Sequence, residues 1–221
     1  MAETVSGVAV ESFTLPWYTR PLWRVCAAII AGGVLLIGYY TLERIRGNSL
    51  PDAVSQLQPP HQVLSDNGPT GITVPPTSAL EPNAAQVVVY QDYQDAISAQ
   101  VELVLSDALN ALASRGEITL EYRTMTFLDR GKVDGPSQRA AVAAACADIQ
   151  GVYAAYHNQV FLGQRNLGFT ADQLRNEFAI AAGLEGADLS AFQTCYDNRR
   201  SEDFVKAVAT NALADAVSAT P

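Results

Sequence analysis

Histidine and cysteine are nearly missing from this sequence. His61, His157, Cys26, Cys146 and Cys195 are the full set among 221 residues. Five such residues, scattered along the chain, cannot make zinc-finger spacing. Basic residues are also few: 14 Lys and Arg against 23 Asp and Glu give a formal net charge of −9, with no basic cluster. That argues against a nucleic-acid-binding face. There is no GxxxxGKS/T loop, no HExxH and no GxSxG, so the motifs of P-loop enzymes, zincins and α/β-hydrolases are absent. The acidic residues Asp92, Asp129, Asp134, Asp148, Asp188, Glu202 and Asp203 are scattered, form no calcium-loop pattern and read mostly as a solvated face.

What is present divides into an anchor, a spacer and a domain. No charged residue occurs from Val25 to Leu42. A helix of that length spans about 27 Å, enough to cross a bilayer core. Trp17, Tyr18 and Trp23 precede it and Tyr39-Tyr40 close it, as interfacial aromatic belts do. The rival reading is a cleaved signal peptide, but the run ends in Tyr39-Tyr40-Thr41-Leu42-Glu43-Arg44, without a small-x-small site. The expectation is therefore a tail over 1–22 and a transmembrane helix over 23–42, with Cys26 a buried thiol within it. Arg20 and Arg24 balance Arg44 and Arg46, so charge alone gives no orientation. Ala27 with Ala31, and Ala28 with Gly32, set small residues four apart, a spacing that admits a partner helix.

Residues 43–70 read as a tether. Seven of the eleven prolines lie between Pro51 and Pro82, and the stretch lacks helical periodicity. His61 within it reads as a solvated loop residue. A domain is expected over 71–221. Gly71-Ile72-Thr73-Val74 reads as a short edge strand stopped by Pro75, and Gln86–Tyr90 as a buried strand. Ala96 to Arg115 predicts a helix with Val101, Val104, Leu105, Ala108 and Leu112 on its core stripe, ended by Gly116. Glu117 to Arg123 alternates as a strand, which completes a right-handed βαβ unit with a parallel pair. Helices are predicted over 137–160, 170–182, 189–196 and 202–217, with Ser137 and Thr170 as N-caps. His157, among Tyr153, Tyr156, Val160 and Phe161, reads as a packed, hydrogen-bonded side chain.

Val88-Val89-Tyr90-Gln91-Asp92-Tyr93-Gln94 resembles the first strand and turn of the DsbA-like thiol–disulfide oxidoreductases, which have a thioredoxin fold with a helical insertion. Further matches follow in family order: Glu121-Tyr122-Arg123, Phe127-Leu128-Asp129-Arg130, Ser137, Arg139-Ala140, and Ala144-Ala145-Cys146. Tyr156-His157-Asn158 with Phe161 and Gln164 is similar to the family's YHxxLFxxQ stretch. Phe169-Thr170, Gln173-Leu174, Ala181-Ala182-Gly183-Leu184, Phe192 and Cys195 continue the series. Thr220-Pro221 stands where the family has its Thr–cis-Pro pair. The resemblance is nearest the membrane-anchored actinobacterial type. It implies an α/β fold class: a thioredoxin-like domain with a helical insertion, preceded here by one transmembrane helix.

One departure bears on activity. The family's Cys-Pro-x-Cys is replaced by Asp95-Ala96-Ile97-Ser98. Disulfide exchange needs a thiolate nucleophile and a second sulfur to resolve the mixed disulfide. The expectation is a domain without catalytic residues, not an enzyme, in which Asp95 caps the first helix. Relatives carry a structural cystine at positions matching Cys146 and Cys195, so the resemblance implies that bridge; the alternative is two reduced core thiols. The bridge would place the N-terminus in the cytoplasm and the domain on the extracytoplasmic side of the cell membrane.

No cofactor, metal or nucleic acid is expected. The functional expectation is an accessory or scaffold subunit of a larger membrane complex, respiratory in one reading, joined through Ala27, Ala28, Ala31, Gly32 and the tether. The alternatives are a thiol–disulfide oxidoreductase using Cys146 and Cys195, or a peptide-binding module around Ala96 and Ile97. The family's third strand would follow Pro221; without it the strand at 86–90 has an open edge, unless the chain continues or another segment covers that edge.

Overall fold

The computed structural model describes residues 56–164 and 169–220. The expected tail, the membrane span at 23–42 with its small-residue stripe, and Pro221 lie outside the described residues. Among those that are described, no helix is long and apolar enough to cross a membrane.

A four-stranded sheet forms the centre: β1 (Gln62–Ser65), β2 (Gly68–Thr73), β3 (Ala85–Asp92) and β4 (Ile118–Met125), in the order β1-β2-β4-β3. β3 and β4 pair in parallel over their whole length, from Ala85↔Ile118 to Asp92↔Met125. The crossover between them is α1 (Ala96–Ser114), so the βαβ unit read from the sequence is present. Gly116, at φ 75°, ends the helix and lies against the Ala79 carbonyl, where a Cβ would collide.

β1 and β2 form a hairpin and β2 runs antiparallel to β4. The spacer expected over 43–70 therefore gives way to structure sooner, and β2 is an interior strand covered by β1 rather than an edge. Among the described residues the prolines of this stretch fall outside β1, at 59 and 60, or at Pro69 in β2, where they stop neither strand. Among the described residues nothing pairs with the outer edge of β3.

A short 3-10 turn (Phe127–Asp129) leads to the helical region. It comprises α2 (Pro136–Ile149), α3 (Tyr153–Gly163), α4 (a π-helical turn at Gln173–Glu177 continuing into Phe178–Ala181), α5 (Gly186–Asp197) and α6 (Glu202–Ala214). The single helix predicted over 137–160 is two, because Gly151 takes φ 74° between them. Thr170 caps as predicted. Its hydroxyl accepts from Gln173 N at 3.1 Å while Gln173 Oε1 accepts from Thr170 N at 3.1 Å, a reciprocal capping box. Ser137 does not cap. Pro136 opens α2 at its first position, and the N–H groups of Ser137 and Gln138 go to the Asp129 carboxylate.

The core joins Leu120, Tyr122 and Met125 of β4 to Ala140–Ala147 of α2, Tyr156, Val160 and Phe161 of α3, Phe192 of α5 and Phe204 and Val208 of α6. Small alanines on α2 let the neighbouring helices approach closely. α1 inverts its expected amphipathicity. Its buried residues are Ser98, Ala99, Glu102, Ser106 and Ala113, whereas Val104 is 76% exposed and Ile97, Leu103 and Leu105 are also exposed.

Candidate functional site

The site develops at the end of β3, where Asp92-Tyr93-Gln94-Asp95 turns the chain into α1. Four side chains distant in sequence fix this turn. Asp92 Oδ1 accepts from Gln94 N at 2.9 Å and from the Ser137 hydroxyl, and Asp92 Oδ2 accepts from Leu128 N at 3.0 Å. Gln94 Nε2 donates to Asp129 Oδ1 at 2.8 Å and to Ser137 Oγ. Gln164 Nε2 donates to the carbonyls of Tyr93 and Asp95, at 2.6 and 3.1 Å. The Tyr93 hydroxyl meets His157 Nδ1 at 2.7 Å. Asp129, Ser137, His157 and Gln164, which carried the family resemblance from separate parts of the sequence, thus converge on one turn. Gly135 is required here: a Cβ would overlap the Asp129 carboxylate.

Asp95 is the N-cap of α1, with φ −83° and ψ 122°. Its carboxylate accepts from Ser98 N at 2.9 Å, Ile97 N at 3.3 Å, Ser98 Oγ at 2.8 Å and Thr220 Oγ1 at 3.2 Å. Partial burial works to raise its pKa. The hydrogen bonds from Ser98, Ile97 and Thr220 outweigh burial and hold the carboxyl below its ordinary range. Ser98 is fully buried, while Ala96 and Ile97 face solvent. Asp95, Ala96, Ile97 and Ser98 thus form a capped helix start with an exposed apolar lip, and Thr220 bonds to the cap.

Beneath the turn lies a buried polar network. His157 Nε2 is 3.0 Å from Gln91 Oε1 and 3.5 Å from Glu102 Oε2, and Gln91 Nε2 donates to the same Glu102 oxygen at 3.1 Å. Burial raises the Glu102 carboxyl, but the contact with His157 and the bond from Gln91 bring its pKa below the ordinary value. His157 also packs against Tyr122, at 4.4 Å between ring centroids, so it is the packed, hydrogen-bonded residue expected. Sequence reading missed Glu102 because it sits on a helix stripe whose inward face was assumed apolar.

The solvated face expected for the acidic residues fails at Asp92, Asp129 and Asp148, which are all buried. Each accepts hydrogen bonds that replace its hydration. Asp148 binds the His61 backbone N–H at 3.0 Å and His61 Nδ1 at 2.8 Å, so His61 is an anchored residue rather than a free loop histidine.

Cys146 of α2 and Cys195 of α5 are joined in a disulfide, with Cα atoms 5.9 Å apart and 49 residues between them in sequence. Their exposures are 0% and 2%. Ser201 Oγ lies 3.9 Å from each sulfur and donates to the Leu57 carbonyl at 3.3 Å. Leu57 N in turn donates to Arg200 O at 2.6 Å. The segment at 56–57 therefore covers the turn beside the cystine. Among the described residues no group of His, Cys, Asp and Glu has the arrangement of a metal site.

The fold is the DsbA-like thioredoxin fold, with a helical insertion between β4 and α6. The MdbA thiol–disulfide oxidoreductase of Corynebacterium diphtheriae superposes with a TM-score of 0.60 at 19% identity, covering 79% of this chain and 88% of that one. The MdbA protein of Actinomyces oris, also a thiol–disulfide oxidoreductase, gives a TM-score of 0.59 at 22% identity, covering 78% and 84%. DsbA of Mycobacterium tuberculosis, in its oxidised form, gives 0.53 at 23% identity, covering 68% and 80%. No protein-family profile and no curated relative matches the chain.

These likenesses correct one expectation. Loss of the two motif cysteines suggested a protein that is not an enzyme; the solved structures sharing its fold are thiol–disulfide oxidoreductases, and the chain carries an oxidised cysteine pair of its own. Asp95 and Ser98 in place of sulfur therefore do not by themselves exclude an enzyme, because disulfide exchange needs a sulfur pair and this chain has one at Cys146 and Cys195.

Proposed function

We propose that this chain works in thiol–disulfide exchange with polypeptide clients, with Cys146–Cys195 as the exchangeable bond and the α1 N-terminus as the surface that receives the client. The observation that carries this reading is the cystine, held in an oxidoreductase fold and bordered by the segment at 56–57. The accessory-subunit reading gains no support from the fold or its likenesses, and the oxidoreductase reading replaces it. A membrane anchor at 23–42, with the domain outside, belongs to the same proposal: an oxidising compartment keeps such a bond formed.

The chemistry is a two-electron exchange. A client thiolate attacks one sulfur of the cystine, forming a mixed disulfide and releasing the other cysteine as a thiolate. A second client thiolate then attacks the client sulfur of that mixed disulfide. The client leaves as a disulfide and the protein as a dithiol. Burial of both sulfurs means that the cover at Leu57 and Ser201 must open for this to occur.

The test is oxidation of a reduced, unfolded client by the full chain, with oxidised glutathione regenerating the cystine. Catalysed client oxidation that disappears in Cys146→Ser and in Cys195→Ser supports the proposal. Activity that persists in both variants overturns the assignment of the bond. A second reading, a peptide-binding module, is favoured by the exposed Ile97 lip beside Asp95 and Thr220. Saturable binding of an extended peptide, weakened by Ile97→Asp and accompanied by no catalysed oxidation, would establish it in place of the first.

A further inference from the structure

Residues 56–61 bridge the same two parts of the helical region that the cystine joins. At one end Leu57 N donates to the Arg200 carbonyl at 2.6 Å, the Leu57 carbonyl accepts from Ser201 Oγ at 3.3 Å, and Asp203 N donates to Gln56 Oε1 at 3.3 Å. Arg200 and Ser201 belong to the turn that follows α5, the helix of Cys195. At the other end His61 N and His61 Nδ1 meet the two carboxylate oxygens of Asp148, at 3.0 and 2.8 Å. Asp148 stands on α2, the helix of Cys146. A non-covalent link from α2 to the end of α5 thus runs in parallel with the covalent one.

The link has the build of a latched strap. Pro59 is buried and Pro60 exposed between its two ends, and consecutive prolines restrict the undocked backbone, which lowers the entropy cost of docking. The latch is asymmetric: the Asp148 side chain is 1% exposed and the His61 side chain 35%. Among the described residues, both donors to that buried carboxylate come from His61. Leaving a buried carboxylate without donors is costly, so the latch rests closed. At the far end of the strap, Ser201 is fully buried and its hydroxyl lies 3.9 Å from each sulfur.

We infer that the segment at 56–61 is a gate on the cystine, latched by His61 and Asp148. A thiolate reaches the sulfurs when the strap lifts from Ser201, and reduction of the bond in turn loosens the strap. The two links join the same elements, so their coupling is reciprocal: docking favours the oxidised pair by the factor by which oxidation favours docking. The gate's use in client exchange rests on the function proposed above, whereas its operation is read with a small dithiol and no client.

The test is reduction of the folded full chain by dithiothreitol, which leaves as its cyclic disulfide while the cystine becomes two thiols. Hydrogen exchange is followed in parallel at the Leu57 amide, which reports the strap, and at the amides of β4, which report global opening. His61→Ala removes one donor to a buried carboxylate and touches neither sulfur. It should speed reduction and Leu57 exchange by the same factor, about tenfold or more, with β4 unchanged. Ser201→Ala, which frees the other end, should act in the same direction. In the parent chain, low concentrations of urea should raise the reduction rate and Leu57 exchange together, before β4 opens. Unchanged reduction in a folded His61→Ala protein, or reduction in the parent that follows β4 rather than Leu57, would overturn the gate. Failure of client oxidation with these rates as expected would instead remove the exchange function and leave the gate standing.

Discussion

Ser98 donates its hydroxyl to Asp95 Oδ2 at 2.8 Å, so the two positions that resemble the family's redox-cysteine positions are bonded to each other through oxygen. The same carboxylate collects the Ser98 and Ile97 N–H groups and the Thr220 hydroxyl. Geometry that elsewhere stabilises a thiolate at a helix N-terminus stabilises a carboxylate in this chain.

Asp95→Ala should therefore cost about 1 kcal/mol, the usual value of an N-cap, and Asp95→Asn a fraction of that. Chemical denaturation of both variants checks it. The folded pKa is depressed, so the ionic part of this stabilisation is present above the unfolded pKa and is lost as pH falls through the folded one. Stability curves measured between neutral and acid pH should converge for Asp95→Asn and the parent at the acid end.

Asp95→Cys combined with Ser98→Cys should restore a reducible pair. The N–H groups that now bind the carboxylate would bind the first thiolate, and its pKa should fall below that of a free cysteine. Thiolate absorbance against pH measures this. A pair that never oxidises, with both thiols titrating normally, would contradict the placement of α1.

Glu102 is a buried carboxylate whose polar neighbours are Gln91 Nε2 at 3.1 Å and His157 Nε2 at 3.5 Å. Removing His157 takes polar contacts from Gln91, Tyr93 and Glu102 at once, and His157→Phe should cost about 3 kcal/mol, while Glu102→Gln combined with His157→Phe should recover part of that loss. A double-mutant cycle by urea denaturation gives the coupling. Glu102 has a lowered folded pKa, so the parent should lose this stabilisation on acidification, and the Glu102→Gln protein should have the shallower acid limb.

Val104, exposed at 76%, and its neighbours Leu103 and Leu105 give α1 an apolar outer face. Val104→Lys should leave the melting temperature within a few degrees of the parent, because surface changes move stability little. It should also lower concentration-dependent association in light scattering.

The sequence was most informative where the signal was local. The Val87-Val88-Val89-Tyr90 run located β3, Gly116 ended α1, and Thr170 capped α4. It misled where a side chain's surroundings come from far along the chain. Val101, Val104 and Leu105 have helical spacing, yet the inward face of α1 belongs to Ser98, Glu102 and Ser106, because a polar network from Gln91 and His157 waits beneath it. Asp148 looks like a surface acid until His61, 87 residues earlier, supplies its two donors.

The bond from Ser201 to the Leu57 carbonyl spans 144 residues, and Asp203 N reaches Gln56 across 147. Closing loops of that length costs entropy before any contact rewards it, so such links form late in folding. Emergence from the ribosome sets the same order: the segment at 56–57 is synthesised long before the turn at 200–203 that it must meet. We expect the cystine, which spans 49 residues, to form while Leu57 is still undocked. Pulsed alkylation during refolding should then find Cys146 and Cys195 oxidised before the amide of Leu57 gains protection from hydrogen exchange. In this chain the first oxidation of the pair belongs to an interval of folding time, before the segment at 56–57 arrives, and every later exchange must reopen that cover.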